Sequence, residues 1–310
     1  MSPHETEILP LSGAQACVPP TAEPLTMPMA LLLLAKPGIV AAEMLAGVAG
    51  ALLASPSASA ADLCLLLLLL ALGAGGAAMA NCLMEEESDK RMQRLARRCR
   101  ALEVAGRGLV FCLAALFTLA AAAIALLYFT PLATMLLLAA SSIYIAIYTG
   151  WLKRRTPWSL LAGGIPGALP PLIGAAAVGW GLTTAAFLLA LIIYLWQLPH
   201  FLFLALHCRN QYLLAGIPVL PATHGVEATR RLTLGASLAL IPVSGIFCLV
   251  AGHGHGITAF YLGLAISFSL CSYHLLYRKR GYRLGFNLSL AYMTILLIAV
   301  ICGTISGASG

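Results

Sequence analysis

The chain has 310 residues, of which 61% are hydrophobic and 9% charged, with a formal net charge of +7 and a mean hydropathy of +0.94. So large an apolar share cannot be hidden in a soluble core, which excludes a water-soluble fold and makes lipid the solvent for most of the surface. No soluble basic face is left over which the positive charge could be spread, so a nucleic-acid partner is excluded as well.

Hydrocarbon admits only segments that satisfy their own backbone, and a spanning helix needs about 20 apolar residues. Residues 1–27, Pro-rich and polar, predict a disordered cytoplasmic tail. Nine apolar runs follow, over about 38–55, 62–84, 109–129, 131–149, 160–180, 184–206, 232–252, 257–277 and 288–306. They are too long and too continuously apolar for barrel strands, which would alternate. The fold class expected is therefore an all-α polytopic membrane protein. All 18 Lys and Arg residues fall before the first run or in the loops after runs two, four, six and eight. That one-sided distribution predicts a cytoplasmic N-terminus. The nine cysteines are scattered, without zinc-like spacing, and read as small apolar packing residues.

Three stretches carry polar chemistry. The first, NCLMEEESDKRMQRLARR at 81–98, holds four of the chain's 11 acids within five positions. Asn81, Glu85 and Asp89 are spaced four apart, which puts them on one helical stripe. Like charges at that spacing destabilise a helix unless a cation lies between them. Magnesium suits such a set, since it takes carboxylate, amide and phosphate oxygens. Arg94 and Arg98, also four apart, would offer forked donors to a diphosphate. The competing reading is a solvated loop whose arginines set topology.

The second stretch, YTGWLKRRTPWSLLAGGIPGALPPLIG at 148–174, starts run five with Lys153, Arg154 and Arg155. Its glycines and prolines fit either helices broken around a cavity or close small-residue packing. The third, WQLPHF at 196–201 followed by YLLAGIPVLP at 212–221, places Trp196 and His200 near the end of run six. Pro199 frees a carbonyl there, so a pocket and a histidine bonded to a neighbouring helix are both open.

Together these stretches resemble the UbiA-type intramembrane prenyltransferases, in their protoheme IX farnesyltransferase (haem O synthase) branch. The resemblance rests on Asn81, Glu85, Glu87, Asp89, Met92, Arg94 and Arg98, on Tyr148 through Gly174, and on Trp196, Pro199, His200, Phe201, Tyr212 and Gly216 to Pro221. It covers about residue 30 to the C-terminus, with 28–310 as one prenyltransferase domain. It implies nine helices in a ring around a central cavity that opens to the cytoplasm. It also implies transfer of farnesyl from farnesyl diphosphate to a vinyl carbon of haem b, with water supplying a hydroxyl. Magnesium would be held by Asn81, Glu85 and Asp89, with Glu87 and Gln211 as further candidates. Lys36, Arg94, Arg98, Lys153 and Arg154 would grip the diphosphate, and His200 with Trp196 would position the haem. A haem A synthase or a terminal oxidase would receive the product.

The sequence departs from that pattern at Gln211, where the family commonly has an acid, at Glu85 for the usual aspartate, and at Cys99-Arg100 for Pro-Leu. Glu43 is a further oddity, an acid about five residues into the first run. Facing lipid it would cost about 2–3 kcal/mol or more, so it should face the cavity or be neutral. It lies seven residues after Lys36, and pairing with that lysine is one expectation. A protonated carboxyl bonded to a neighbouring helix is the other. The alternatives in function are a UbiA-type enzyme acting on another ring, such as a quinone precursor, a catalytically weakened haem-binding protein, or a transporter. A transporter should carry coupled ionisable residues near mid-membrane, and apart from Glu43 few are present. The N-terminal segment has neither a signal n-region nor transit-peptide arginines, which favours a prokaryotic plasma (inner) membrane.

Overall fold

The computed structural model describes residues 24–179, 181–252 and 254–307, so the expected tail lies, up to residue 23, outside the described residues. Among those residues there is no β-strand, and nine helices are long and apolar enough to cross a membrane. They are α1 Pro37–Ala54, α2 Ala60–Asp89, α3 Arg107–Tyr128, α4 Pro131–Leu152, α5 Ser159–Val178, α6 Thr184–His207, α7 Val226–Val250, α8 His255–Arg278 and α9 Tyr282–Ser306. Short helices at Met27–Ala35, Ala96–Ala105, Arg209–Leu214 and Leu220–Thr223 all belong to the end of the chain path that carries the basic residues. At the opposite end the connections are short and polar. There Ser59, Thr130 and Thr183 cap α2, α4 and α6 by accepting the N–H of Asp62 (3.1 Å), Ala133 (3.2 Å) and Ala186 (3.1 Å).

Three boundaries differ from the hydropathy reading, all at the basic end. Helix α2 runs through Glu85 to Asp89 rather than stopping near 84, because its acids meet cations instead of water. Helices α7 and α9 begin at Val226 and Tyr282, ahead of the expected starts at 232 and 288. Their first turns are polar yet helical, since Glu227 pairs with Arg230 and Arg231 and Arg230 donates to the Tyr282 hydroxyl. Ion pairs three and four apart support a helix outside the hydrocarbon, where apolar content alone gives no signal.

Consecutive helices pack on one another, and α1 packs against α5, α6 and α9 as well. The α1–α5 contact is backbone on backbone. A Cβ on Gly174 would strike the Gly47 carbonyl, and one on Gly50 would strike the Pro171 carbonyl. Small residues permit this approach, which van der Waals contact stabilises where the hydrophobic effect is absent. Helix α5 is interrupted at Leu169, between Ser159–Ala168 and Pro170–Val178. Pro170 and Pro171 lack N–H groups and begin the second half, as proline does at a helix start. Helix α4 widens over Ile143–Leu152 into a π-helix, in which residues five apart come into register.

Gly174→Ala should therefore lower thermal stability in detergent by about 1–3 kcal/mol, the usual cost of overpacking. Gly263→Ala in α8, where a Cβ meets nothing within 4 Å, should be neutral or stabilising by up to about 1 kcal/mol. Equal losses in the two variants, measured by thermal unfolding of the purified protein, would contradict the α1–α5 contact.

Candidate active site

Helix α2 ends in a stripe that is buried, not solvated. Asn81 is 1% exposed, Glu85 4% and Asp89 4%. Two carboxylates in one buried stripe require counter-charges, and these come from three distant segments. Lys36 sits at a left-handed break (φ 55°) between the helix Met27–Ala35 and α1. Its Nζ donates to Asn81 Oδ1 at 2.5 Å and to the Tyr144 hydroxyl at 3.5 Å. Lys153, at the start of the α4–α5 turn, is paired with Glu85. Arg98, in the helix Ala96–Ala105, is paired with Asp89 and reaches Glu85 at 3.5 Å.

Asn81 completes the cluster by donating its Nδ2 to Thr149 Oγ1 at 3.0 Å. Tyr144 and Thr149 lie five residues apart in the π-helical end of α4, which is why one helix meets both Lys36 and Asn81. Three cations thus surround two carboxylates, leaving a local excess of positive charge. Burial, which disfavours the charged ammonium, draws Lys36 down to about 8.

A second layer joins two loops. Arg94 lies in a 3₁₀ turn (Gln93–Leu95), outside the helix that holds Arg98, so the pair does not form one helical face. Its backbone N–H donates to Gln211 Oε1 at 3.2 Å, and its guanidinium donates to the Tyr212 hydroxyl at 3.0 Å. Beneath it, Met92 is buried with Ala215 and Ile217. Arg154 donates to the Met84 carbonyl at 2.9 Å, beside the stripe.

Glu87 is not part of the cluster. Its side chain is 76% exposed and lies 3.4 Å from Lys90, as its two-residue offset from Glu85 requires. Gln211, expected as a metal ligand, has its amide oxygen engaged by Arg94 and serves as the joint between the loops. The expected Lys36–Glu43 pair does not form either. Lys36 lies in the break before α1 begins, so the two residues do not share one helix, and its ammonium is committed to Asn81.

Trp196 and His200 sit elsewhere, between α6 and α9. Trp196 Nε1 donates to the Ser289 carbonyl at 2.7 Å, and His200 Nδ1 is 2.8 Å from Ser289 Oγ. The imidazole is stacked between the rings of Trp196 (4.8 Å) and Phe286 (4.5 Å). Helix α6 passes through Pro199 without interruption.

Sequence reasoning missed Tyr144, Phe286 and Ser289 as members of these clusters. Tyr144 had a faint signal in its four-residue spacing from Tyr148, while the α9 pair had none. Among the described residues no three His, Cys, Asp or Glu side chains converge as a metal cage. Two carboxylates and an amide do converge, and magnesium characteristically takes one or two carboxylates together with substrate phosphates. The donor set fits that ion.

Comparison with known proteins shows the family and the fold. The model of the UbiA prenyltransferase family matches residues 44–305. The protoheme IX farnesyltransferase of Geotalea uraniireducens (strain Rf4) is 38% identical over 230 residues, covering 74% of this chain and 88% of the relative. That of Bordetella petrii is 35% identical over 276 residues, covering 87% and 92%. A UbiA homologue from Archaeoglobus fulgidus, solved bound to DMAPP and Mg2+, superposes with a TM-score of 0.72 at 17% identity, covering 89% of this chain and 99% of that one. The apo UbiA homologue from Aeropyrum pernix K1 gives 0.71 at 19% identity, covering 88% and 98%. The chain belongs to the UbiA prenyltransferase family.

Proposed function

We propose that the protein is a protoheme IX farnesyltransferase, joining farnesyl from farnesyl diphosphate to a vinyl carbon of haem b and yielding haem O. The observation that carries this reading is the buried meeting of Asn81, Glu85 and Asp89 with Lys36, Arg98 and Lys153 at the end of an apolar helix bundle. Such a set suits a metal-bridged diphosphate attached to a hydrocarbon chain. The names of the curated relatives, which match most of the chain, support haem b as the acceptor.

In this reading Asn81, Glu85 and Asp89 hold magnesium. Bound there, the ion supplies positive charge that stabilises the diphosphate as its bond to the allylic carbon breaks. Lys36, Lys153 and Arg98 exchange their present partners for diphosphate oxygens, and Arg94 and Arg154 reach it from the loop layer. Fixed cations already in place need little reorganisation as negative charge develops on the leaving group. The apolar helix faces hold the farnesyl chain away from bulk water, which would otherwise trap the cation early. Trp196 and His200 position the haem, and with Nδ1 held by Ser289 the His200 nitrogen left for iron or solvent is Nε2. Gln211 acts by fixing Arg94 and is a positioning residue.

The concentration of every Lys and Arg at one end supports a cytoplasmic site in a prokaryotic inner membrane. The ring of helices around a cavity open to that side belongs to the same reading. So does delivery of the product to a haem A synthase or a terminal oxidase.

Purified protein given haem b, farnesyl diphosphate and magnesium should yield a farnesylated, hydroxylated haem by mass spectrometry. Chelation of divalent metal should abolish diphosphate release, and added magnesium should restore it. Release that survives chelation would defeat the metal assignment.

Asp89→Asn is expected to lower haem O formation by about 10²-fold or more, on the scale of losing one electrostatic contact in an active site, while the protein remains in the membrane. Glu87→Gln should change the rate by less than about twofold, since exposed ion pairs contribute little. If the two variants lose activity equally, the buried stripe is not the site.

A further inference from the structure

One intramembrane acid is left unused by this account. Glu43 lies six residues beyond Pro37, about 9 Å along α1 from its start. It makes no hydrogen bond or ion pair with any described residue and is half-buried. An acid held inside a membrane bundle without a partner is costly, and in membrane proteins such residues face the interior and mark function.

Its direction follows from the packing of α1. Glu43, Gly47 and Gly50 are spaced i, i+4 and i+7, on one helical face. Gly50 rests on Pro171 of α5, and Gly47 lies against Leu70 of α2 and Pro170 of α5. One turn nearer the basic end, α5 carries Gly163 and Gly167, which face α4 and α6. Cβ atoms on those glycines would meet Tyr148 and Gln197 respectively. Glu43 therefore lies on the face of α1 that meets α5, one turn before that contact begins. Glu43 thus lies one layer deeper than the diphosphate-binding cluster, at the depth where the first carbons of a bound prenyl chain would sit.

Resting on the proposed haem farnesyl transfer, we propose that Glu43 is the base that deprotonates the water captured by the product. The allylic C–O bond breaks with its electron pair on the diphosphate. The vinyl π pair forms the new C–C bond to that allylic carbon, leaving positive charge on the ring-side vinyl carbon. A water oxygen bonds to this carbon and one of its protons passes to the Glu43 carboxylate. No oxidant or reductant is required. Without the carboxylate, the cation instead loses a proton from the adjacent carbon to the departed diphosphate, giving an alkene lighter by one water.

The test compares wild type, Glu43→Gln and Glu43→Asp with haem b, farnesyl diphosphate and magnesium, reading diphosphate release and the masses of the haem products separately. Glu43→Gln keeps the shape and removes the charge. It should continue to release diphosphate, while its ratio of hydroxylated to dehydrated farnesyl haem falls by about a hundredfold, the lower end of general-base contributions. Glu43→Asp should recover part of that ratio.

An unchanged ratio in Glu43→Gln overturns the assignment. So does a loss of diphosphate release that matches the loss of product, since Glu43 would then serve binding or folding. A wild-type protein that farnesylates no haem defeats the substrate reading itself, an outcome visible before any variant is compared.

Discussion

Everything at the basic end of this molecule depends on keeping two carboxylates charged where water is scarce. Glu85 and Asp89 stand one helical turn apart, each 4% exposed, a placement that would push the end of α2 apart if left unanswered. The answering charges come from the start of α1, from the helix after α2 and from the α4–α5 turn. Each segment is held because it brings a cation, and each cation is held because the acids are there. Removing one partner from such a buried set costs several kcal/mol, far more than breaking a surface pair. The cluster is therefore a structural joint and a chemical site at once. Its local excess of positive charge is the part not needed for folding, and that excess suits an anionic substrate.

This double use explains which features the sequence revealed. Membrane spans were legible because lipid imposes one criterion, an uninterrupted apolar run, on every crossing segment. The Asn81–Glu85–Asp89 stripe was legible because its register is local to one helix. Where a residue's partner depends on the path of the chain, the spacing misled. Lys36 and Glu43 match a helical face, yet Lys36 occupies a left-handed break before Pro37 starts α1. Arg94 and Arg98 also match one, yet Arg94 lies in a 3₁₀ turn before the helix that holds Arg98, so one binds Tyr212 and the other Asp89. The polar first turns of α7 and α9 were read as loop because ion pairs leave no hydropathy signal. Tyr144 meets Lys36, and Thr149 meets Asn81, only because α4 ends as a π-helix, a local change of winding that composition does not announce.

Helix α5 packs differently in its two halves. Beyond Leu169 its glycine and proline backbone lies directly on the α1 backbone at Gly47 and Gly50. Before Leu169 the glycines do the opposite service, leaving room that Tyr148 and the Gln197 amide enter. Gln197 donates to the Gly164 carbonyl at 2.8 Å, which fixes the amide against α5. The glycine-rich span is therefore closely packed on both sides of the break, against backbone beyond Leu169 and against side chains before it.

That division bears on the chemistry. A carbocation enzyme must keep water from its first cation yet admit water to the second. In the proposed function, a bundle packed closely over its outer half and lined with apolar side chains would exclude bulk solvent from the prenyl chain. Near the charge cluster, Gly163 and Gly167 of α5 make space for Tyr148 and the Gln197 amide. The order of residues along α1 states the same arrangement in one dimension. Lys36 stands at the rim with the amide of Asn81, Glu43 stands one layer in, and Gly47 and Gly50 seal the rest. On the proposed reading, control of water is a matter of depth along a single helix.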